Sequence, residues 1–284
     1  MLLAIDIGNS SIKFGLFDSK NLISRFAIPT SAEQTPDEIH RVVESELDYP
    51  ITAVIVSSVV PEIDAAVREF SLKYLGVKAV FVTNEFDSPG ENTTAMERVF
   101  VGEVDTLFHT RDSACNAFDF GFPTINYEPV ASLGVDRLIV AFAAAQKYGI
   151  PCIVCDFGTA TTIDIANTKG EYFGGVITPG MNTLAEALYQ KTAKLPRVTI
   201  EKPQNVIGSS TVTCMQSGIF YGYLGLVEGI LIRMAAESGE SPKIVATGGF
   251  ASLIAENCGL IDVIDENLML DGLRMLHERR RALI

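Results

Sequence analysis

Residues 155–166 read CDFGTATTIDIA, and residues 5–17 read IDIGNSSIKFGLF. Both place an aspartate, an apolar residue and a glycine ahead of a hydroxyl cluster and an alternating apolar stretch. The two copies stand 150 residues apart (156 − 6), with Asp6 matching Asp156, Gly8 matching Gly158, Ser11 matching Thr161 and Ile12 matching Thr162. Each reads as a β-hairpin. A glycine in its turn lets backbone N–H groups approach an anion, Ser and Thr hydroxyls add donors, and an aspartate just before the turn can hold the cation that accompanies a polyphosphate. Taken singly, either segment is an ordinary tight hairpin, because glycine and Ser/Thr are common turn residues. The recurrence is what points to a phosphate-binding device built twice.

The surroundings of the two hairpins repeat as well. Residues 2–7 and 12–17 read as paired strands, and Thr35-Pro36-Asp37-Glu38 then opens a helix with an N-cap, a first-turn proline and a capping-box glutamate. A strand over 52–60, a helix over 61–75 stopped by Gly76, a strand over 78–83 and a helix over 134–148 stopped by Gly149 complete the first half. In the second half, strands over 152–157, 161–166 and 172–178 precede a helix near Asn182 and Thr183, with Glu186 placed for a second capping box. A long helix over 211–237 leads to a buried strand over 243–247 that runs into Gly248-Gly249. This order predicts an α/β fold of two duplicated domains, 1–148 and 149–284, with a nucleotide cleft between them. Neither GxxxxGK[ST] nor GxGxxG occurs, so a P-loop or a dinucleotide fold does not compete.

Composition limits the function classes. The 284 residues are 48% hydrophobic, enough for one large core or two medium ones. The longest apolar run, residues 138–145, is too short to span a bilayer, and Asp6 interrupts any signal-like start, so a cytoplasmic chain without a membrane partner is expected. With 22 basic against 35 acidic residues and a net charge of −13, a nucleic-acid partner is not expected either. The one dense basic cluster, Arg279, Arg280 and Arg281, reads as a solvated helix end. Five cysteines without framework spacing suit reduced thiols, and the Cys152/Cys155 pair lies in a buried strand where residues three apart face opposite ways. The three histidines, His40, His109 and His277, form no metal-ligand pair, so zinc chemistry is not expected.

Finer motifs carry a resemblance. DIGNSS at 6–11, GVDR at 134–137, DFGTATT at 156–162, GGVITPG at 174–180, TAKLPRV at 192–198 and IGSST at 207–211 occur in one order along most of the chain. In this the sequence resembles the type III pantothenate kinases, within the acetate and sugar kinase, Hsp70 and actin superfamily. The resemblance implies two ribonuclease H-like (actin-like) domains and ATP-dependent phosphorylation of pantothenate to 4'-phosphopantothenate, the first step towards coenzyme A. It implies ATP with Mg²⁺, a monovalent cation (K⁺ or NH₄⁺) and a homodimer with the pantothenate pocket near its interface. By the same resemblance, Asp6, Ile7, Gly8, Asn9, Ser10, Ser11, Ile12 and Lys13 form the first phosphate-binding segment, and Thr159 contacts ATP from the second. Asp136 is the base on the pantothenate hydroxyl, while Tyr127, Gly134, Val135, Arg137 and Thr211 contact pantothenate. Asp156 is the monovalent-cation ligand.

The residues themselves agree with these roles without requiring them. An aspartate in the first turn of a helix is commonly a partner of the helix dipole, yet Asp136 there can also accept a hydrogen bond from a substrate hydroxyl and aim it at a phosphate. Arg137 has the planar fork that pairs with a carboxylate such as that of pantothenate. Two other readings stay open: a kinase of another small hydroxyl substrate, and a nucleotide-binding regulator that has lost catalysis, whose sign is loss of Asp6, Asp136 or Asp156. All three aspartates are present. Two departures from the family stand out. Ser10 replaces the usual threonine, and residues 86–123 read as an insertion with an amphipathic helix near 96–108.

Overall fold

The computed structural model describes residues 1–46, 49–83, 99–100, 117–118 and 120–283. In chain order these form β1 (Leu2–Ile7), β2 (Ser11–Asp18), β3 (Asn21–Pro29), α1 (Pro36–Glu44), β4 (Ala53–Ser58), α2 (Pro61–Leu75) and β5 (Ala79–Phe81). The two-residue strands β6 (Val99–Phe100) and β7 (Ala117–Phe118), a 3-10 turn at Val130–Ser132 and α3 (Val135–Tyr148) follow. The remainder is β8 (Cys152–Phe157), β9 (Ala160–Ala166), β10 (Tyr172–Pro179), α4 (Met181–Lys191), α5 (Thr211–Ser238), β11 (Lys243–Thr247), α6 (Ala251–Ala255), β12 (Val263–Ile264) and α7 (Leu268–Leu283). The helix expected near 96–108 lies outside the described residues.

Two five-stranded sheets share one topology. The first runs β3-β2-β1-β4-β5 and the second β10-β9-β8-β11-β12. In each, the hairpin strands pair antiparallel while the first hairpin strand, β1 or β8, pairs parallel with the strand after the helix, β4 or β11. The duplication read from two short motifs therefore extends to the whole sheet. Register refines it. Asp6 pairs with Lys13 and Ile7 with Ile12, whereas Asp156 pairs with Thr162 and Phe157 with Thr161. The second turn is one residue shorter, so beyond the turn Ile12 corresponds to Thr161, not Thr162, and Lys13 corresponds to Thr162.

Alternation along the strands sorts residues onto two faces. In the first sheet Leu3, Ile5, Ile7, Phe14, Val54 and Val56 form one buried face beneath Ile39 and Val43 of α1 and Val67 and Phe70 of α2. Helix α1 starts as its sequence predicts, with the backbone N–H of Glu38 donating to Oγ1 of Thr35 and the N–H of Thr35 donating to Oε2 of Glu38. Helix α2 ends at Gly76, whose φ of 65° is a conformation only glycine adopts cheaply. Strand β3, a half-exposed edge, is absent from the sequence expectation because its alternation NLISRFAIP is weakly apolar.

The chain divides into two compact units, Met1–Ala143 with Leu268–Ile284, and Ala144–Asn267. The sequence expectation places the boundary at 148/149, with 149–284 as the second domain. The C-terminal helix α7 returns to the first unit because its buried Leu268, Leu270, Leu273 and Leu276 cover the face of the first sheet opposite α1 and α2. The glycines at two contacts leave room: a Cβ on Gly15 would lie 3.0 Å from Leu270, and one on Gly272 would lie 2.7 Å from Ile139 of α3. Nor is the basic cluster wholly a solvated helix end, since the guanidinium of Arg279 lies 5.2 Å from the ring centroid of Phe142.

In the second unit, Ile153, Cys155, Phe157, Ile163, Phe220 and Val227 belong to one core. Helix α5 is long and apolar enough to cross a membrane by length and composition, and here its Met215, Ile219, Phe220, Tyr223, Val227 and Leu231 are buried in the fold. Cys152 and Cys155 are buried free thiols on β8, and burial pushes the Cys152 thiol up to about 12.

Candidate active site

Three adjacent strands of the first sheet each place one polar residue at the same level. Lys13 on β2 pairs with Asp6 on β1, and Asp6 pairs with Ser57 on β4, so all three project from one face at the carboxyl end of β1. Ahead of this level the same face is apolar, with Leu2 and Ala4 on β1. Lys13 Nζ lies 3.4 Å from Oδ2 of Asp6. Asp6 is only 6% exposed. Burial holds its carboxyl above the ordinary range, opposed by the Lys13 charge and reinforced by the charge of Asp136. The two carboxylates therefore belong to one electrostatic site, with Lys13 acting on both.

The hairpin turn that follows is closed by the N–H of Gly8 donating to the carbonyl of Ser11 (3.0 Å), and Thr30 Oγ1 donates to the carbonyl of Gly8 (2.6 Å). Asn9 and Ser10 at its tip are exposed, whereas the side chains of Ile7 and Ile12 lie in the core. Ile7 and Ile12 can thus offer a ligand only their backbone.

Asp136 sits in the first turn of α3, where the unsatisfied N–H groups of a helix start favour an anion. Its Oδ1 accepts from the backbone N–H of Arg137 (2.9 Å). A Cβ on Gly134 would lie 2.4 Å from that same oxygen, which explains the glycine of the GVDR motif. Burial raises the carboxyl of Asp136 above its ordinary range, against the bond from Arg137 and the charges of Arg137 and Lys13. Arg137 is itself buried, its Nη1 donating to the hydroxyl of Tyr127 (3.3 Å) and its guanidinium 5.3 Å from the Tyr127 ring. Val135 is buried beside it. The first unit thus brings together Asp6, Lys13, Asp136, Arg137 and Tyr127.

The second hairpin is braced in the second unit by three other parts of the chain. The N–H of Gly180 and Oγ1 of Thr183 both donate to the carbonyl of Thr159, at 3.1 and 2.6 Å. Gly180 has no room for a Cβ, which would lie 2.2 Å from the carbonyl oxygen of Gly158. Gly248, at φ +91°, comes equally close, since a Cβ there would meet Oδ1 of Asp156 at 2.5 Å. From beneath, the Tyr223 hydroxyl of α5 hydrogen-bonds Thr161 inside the core. The capping box expected at Glu186 does not form: the N-cap of α4 is Gly180, three residues ahead of the Thr183 that would pair with Glu186, and Glu186 accepts instead from Gln190 and Arg197.

The row beside Asp156 differs chemically from that beside Asp6. Its register partners are Thr162 on β9 and Thr247 on β11, so the position of Lys13 is taken by a hydroxyl. Thr159 and Thr211 are exposed, the latter as the first residue of α5, whose N-cap Ser210 exchanges hydrogen bonds with Thr213. Sequence reasoning missed Ser57, Thr247 and Tyr223. A serine pair closing the apolar run AVIVSS was the available signal for the first.

Comparison with known proteins agrees with this architecture. The sequence model of the family described as type III pantothenate kinase matches residues 2–100 and 112–233. The match thus breaks over a narrower stretch than the 86–123 read as an insertion. The type III pantothenate kinase of Geobacter sulfurreducens is 40% identical over 99% of this chain and 100% of its own length, and that of an Anaeromyxobacter species is 41% identical with the same coverage. Among solved structures, a protein described as a 2-dehydro-3-deoxygalactonokinase from Sinorhizobium meliloti superposes with a TM-score of 0.54 at 12% identity, covering 98% of this chain and 96% of its own.

Proposed function

The chain belongs to the type III pantothenate kinase family and phosphorylates pantothenate with ATP in coenzyme A biosynthesis, and from that premise we propose how its residues divide the work. Asp136 is the base. Its carboxylate accepts the proton of the pantothenate hydroxyl and aims the oxygen at the γ-phosphate, a task for which a pKa raised towards the working pH is an advantage. Phosphoryl transfer is loose, so this orientation contributes at least as much as proton removal. Arg137, buried and steadied by Tyr127, pairs with the substrate carboxylate; Gly134 and Val135 contact pantothenate beside it, and Thr211 is assigned a further contact with the same substrate.

Asp6 to Lys13 bind the ATP phosphates through turn N–H groups and hydroxyls, and the carboxylate of Asp6 offers the oxygen that Mg²⁺ favours. Thr159 contacts ATP from the second hairpin. Asp156, flanked by Thr162 and Thr247, presents an all-oxygen row suited to a weakly hydrated monovalent ion, K⁺ or NH₄⁺, where the first half has Lys13. Exposed Phe173, Ile177 and Ile207 in the second unit favour a homodimer, and buried free thiols suit a cytoplasmic setting.

The observation that carries this reading is that Asp6 and Asp136, both raised by burial, lie within reach of the single Lys13 charge. Purified protein incubated with ATP, Mg²⁺ and K⁺, with and without pantothenate, should yield phosphopantothenate by mass spectrometry. Turnover unchanged in buffer free of K⁺ and NH₄⁺ removes the monovalent-ion role. ATP binding without turnover in any buffer would favour the regulator.

A further inference from the structure

Ser57 is 0% exposed, and its hydroxyl makes no hydrogen bond to the described residues. A buried hydroxyl without a partner costs stability, and alanine would fit the same space without that cost. Its position is informative: Ser57 is the direct register partner of Asp6 across the parallel pair β1–β4, on the same face and one strand away. Lys13 flanks Asp6 from the other side and holds Oδ2. The second sheet repeats the arrangement with different residues. There the parallel-strand partner of Asp156 is Thr247, again a buried hydroxyl. In both halves the next residue along this face towards the strand start is apolar, Ile55 in β4 and Val245 in β11. A hydroxyl therefore stands beside each hairpin aspartate, at the level where the face turns polar.

We propose that Ser57 is a positioning residue for Asp6. When nucleotide and its divalent ion engage the hairpin, the Ser57 hydroxyl donates to the Asp6 carboxylate at the oxygen that Lys13 does not hold, fixing the plane of the carboxylate. Without ligand, the donor is kept in place with no partner among the described residues. This rests on the assignment of Asp6 to the phosphate-binding segment.

The test uses the full chain with Ser57→Ala, Ser57→Thr and Asp6→Asn, reading ligand-free Tm, ATP affinity by calorimetry in Mg²⁺, and kcat and KM for each substrate. For Ser57→Ala the expected result is an unchanged or higher Tm with kcat/KM for MgATP down about tenfold or more, and KM for pantothenate little altered. Ser57→Thr, which restores the hydroxyl as Thr247 does in the second half, should recover most of the loss. If Ser57→Ala loses Tm and activity together, or if Ser57→Thr rescues nothing while folding normally, Ser57 is structural and the proposal fails. If Asp6→Asn uses MgATP as well as the parent protein, the assignment of Asp6 is wrong and the proposal falls with it. A crippled Asp6→Asn beside a fully active Ser57→Ala overturns the proposal alone.

Discussion

Asp136 combines two properties that usually exclude each other: a helix start that favours its charge and a burial that opposes it. Burial wins, and the raised pKa has consequences for both activity and stability. Asp136→Asn should lower kcat by about a hundredfold or more while ATP affinity, measured by calorimetry, stays near that of the parent. The same variant should be at least as stable at neutral pH. A folded-state pKa above the unfolded value means that the folded chain holds its proton more tightly, so stability falls as pH rises through the raised pKa; asparagine escapes that loss. Melting curves should therefore favour Asp136→Asn at pH 7 and converge as pH falls towards about 4, the ordinary aspartate range. Lys13 acts in the opposite sense, lowering both carboxyl pKa values. The acid limb of kcat/KM should move to higher pH in Lys13→Met, and a limb that stays in place would mean that neither carboxylate governs it.

At the scale of elements, the second hairpin depends on glycines that lie far from it in sequence. Gly248 holds a left-handed conformation and its missing side chain leaves space for Asp156 and for the backbone of Phe157. Gly248→Ala should cost about 2 kcal/mol or more, because strained φ and a backbone clash add. Its effect on KM for ATP should exceed that on KM for pantothenate, since the displaced hairpin carries Thr159. Steady-state kinetics with both substrates varied checks this, and equal effects on both would separate the hairpin from nucleotide binding. Helix α5 joins the same design: its first residue is Thr211, and Tyr223, further along, anchors Thr161 of the hairpin.

Across the whole molecule, the last seventeen residues (268–284) complete the first unit, not the second. A chain ending at Asn267 would leave one face of the first sheet, including Phe17 and Gly15, exposed to water. Limited proteolysis of that truncation should cut within residues 1–143 well before residues 144–267. Preferential loss of the second unit would contradict the packing of α7 described above.

Patterns local to a few residues were legible without any structure. The capping box at Thr35 and Glu38, the stop at Gly76 and the two Asp-x-Gly hairpins are set by backbone dihedrals and hydrogen bonds among near neighbours, and the sequence alone determined them. The motif order likewise identified the family and its activity. Tertiary structure decided what depends on chain segments meeting. The one-residue difference between the two turns is a matter of strand register, so only pairing reveals that Thr162 occupies the place of Lys13. Ser57 comes level with Asp6 only through a parallel crossover, and α7 pairs with a sheet laid down more than two hundred residues earlier. Glu186 has the spacing of a cap, but Gly180 and Thr183 bind the carbonyl of Thr159 and start the helix elsewhere. Such contacts carry no local signature because their free energy comes from burial and hydrogen bonds between residues distant in sequence.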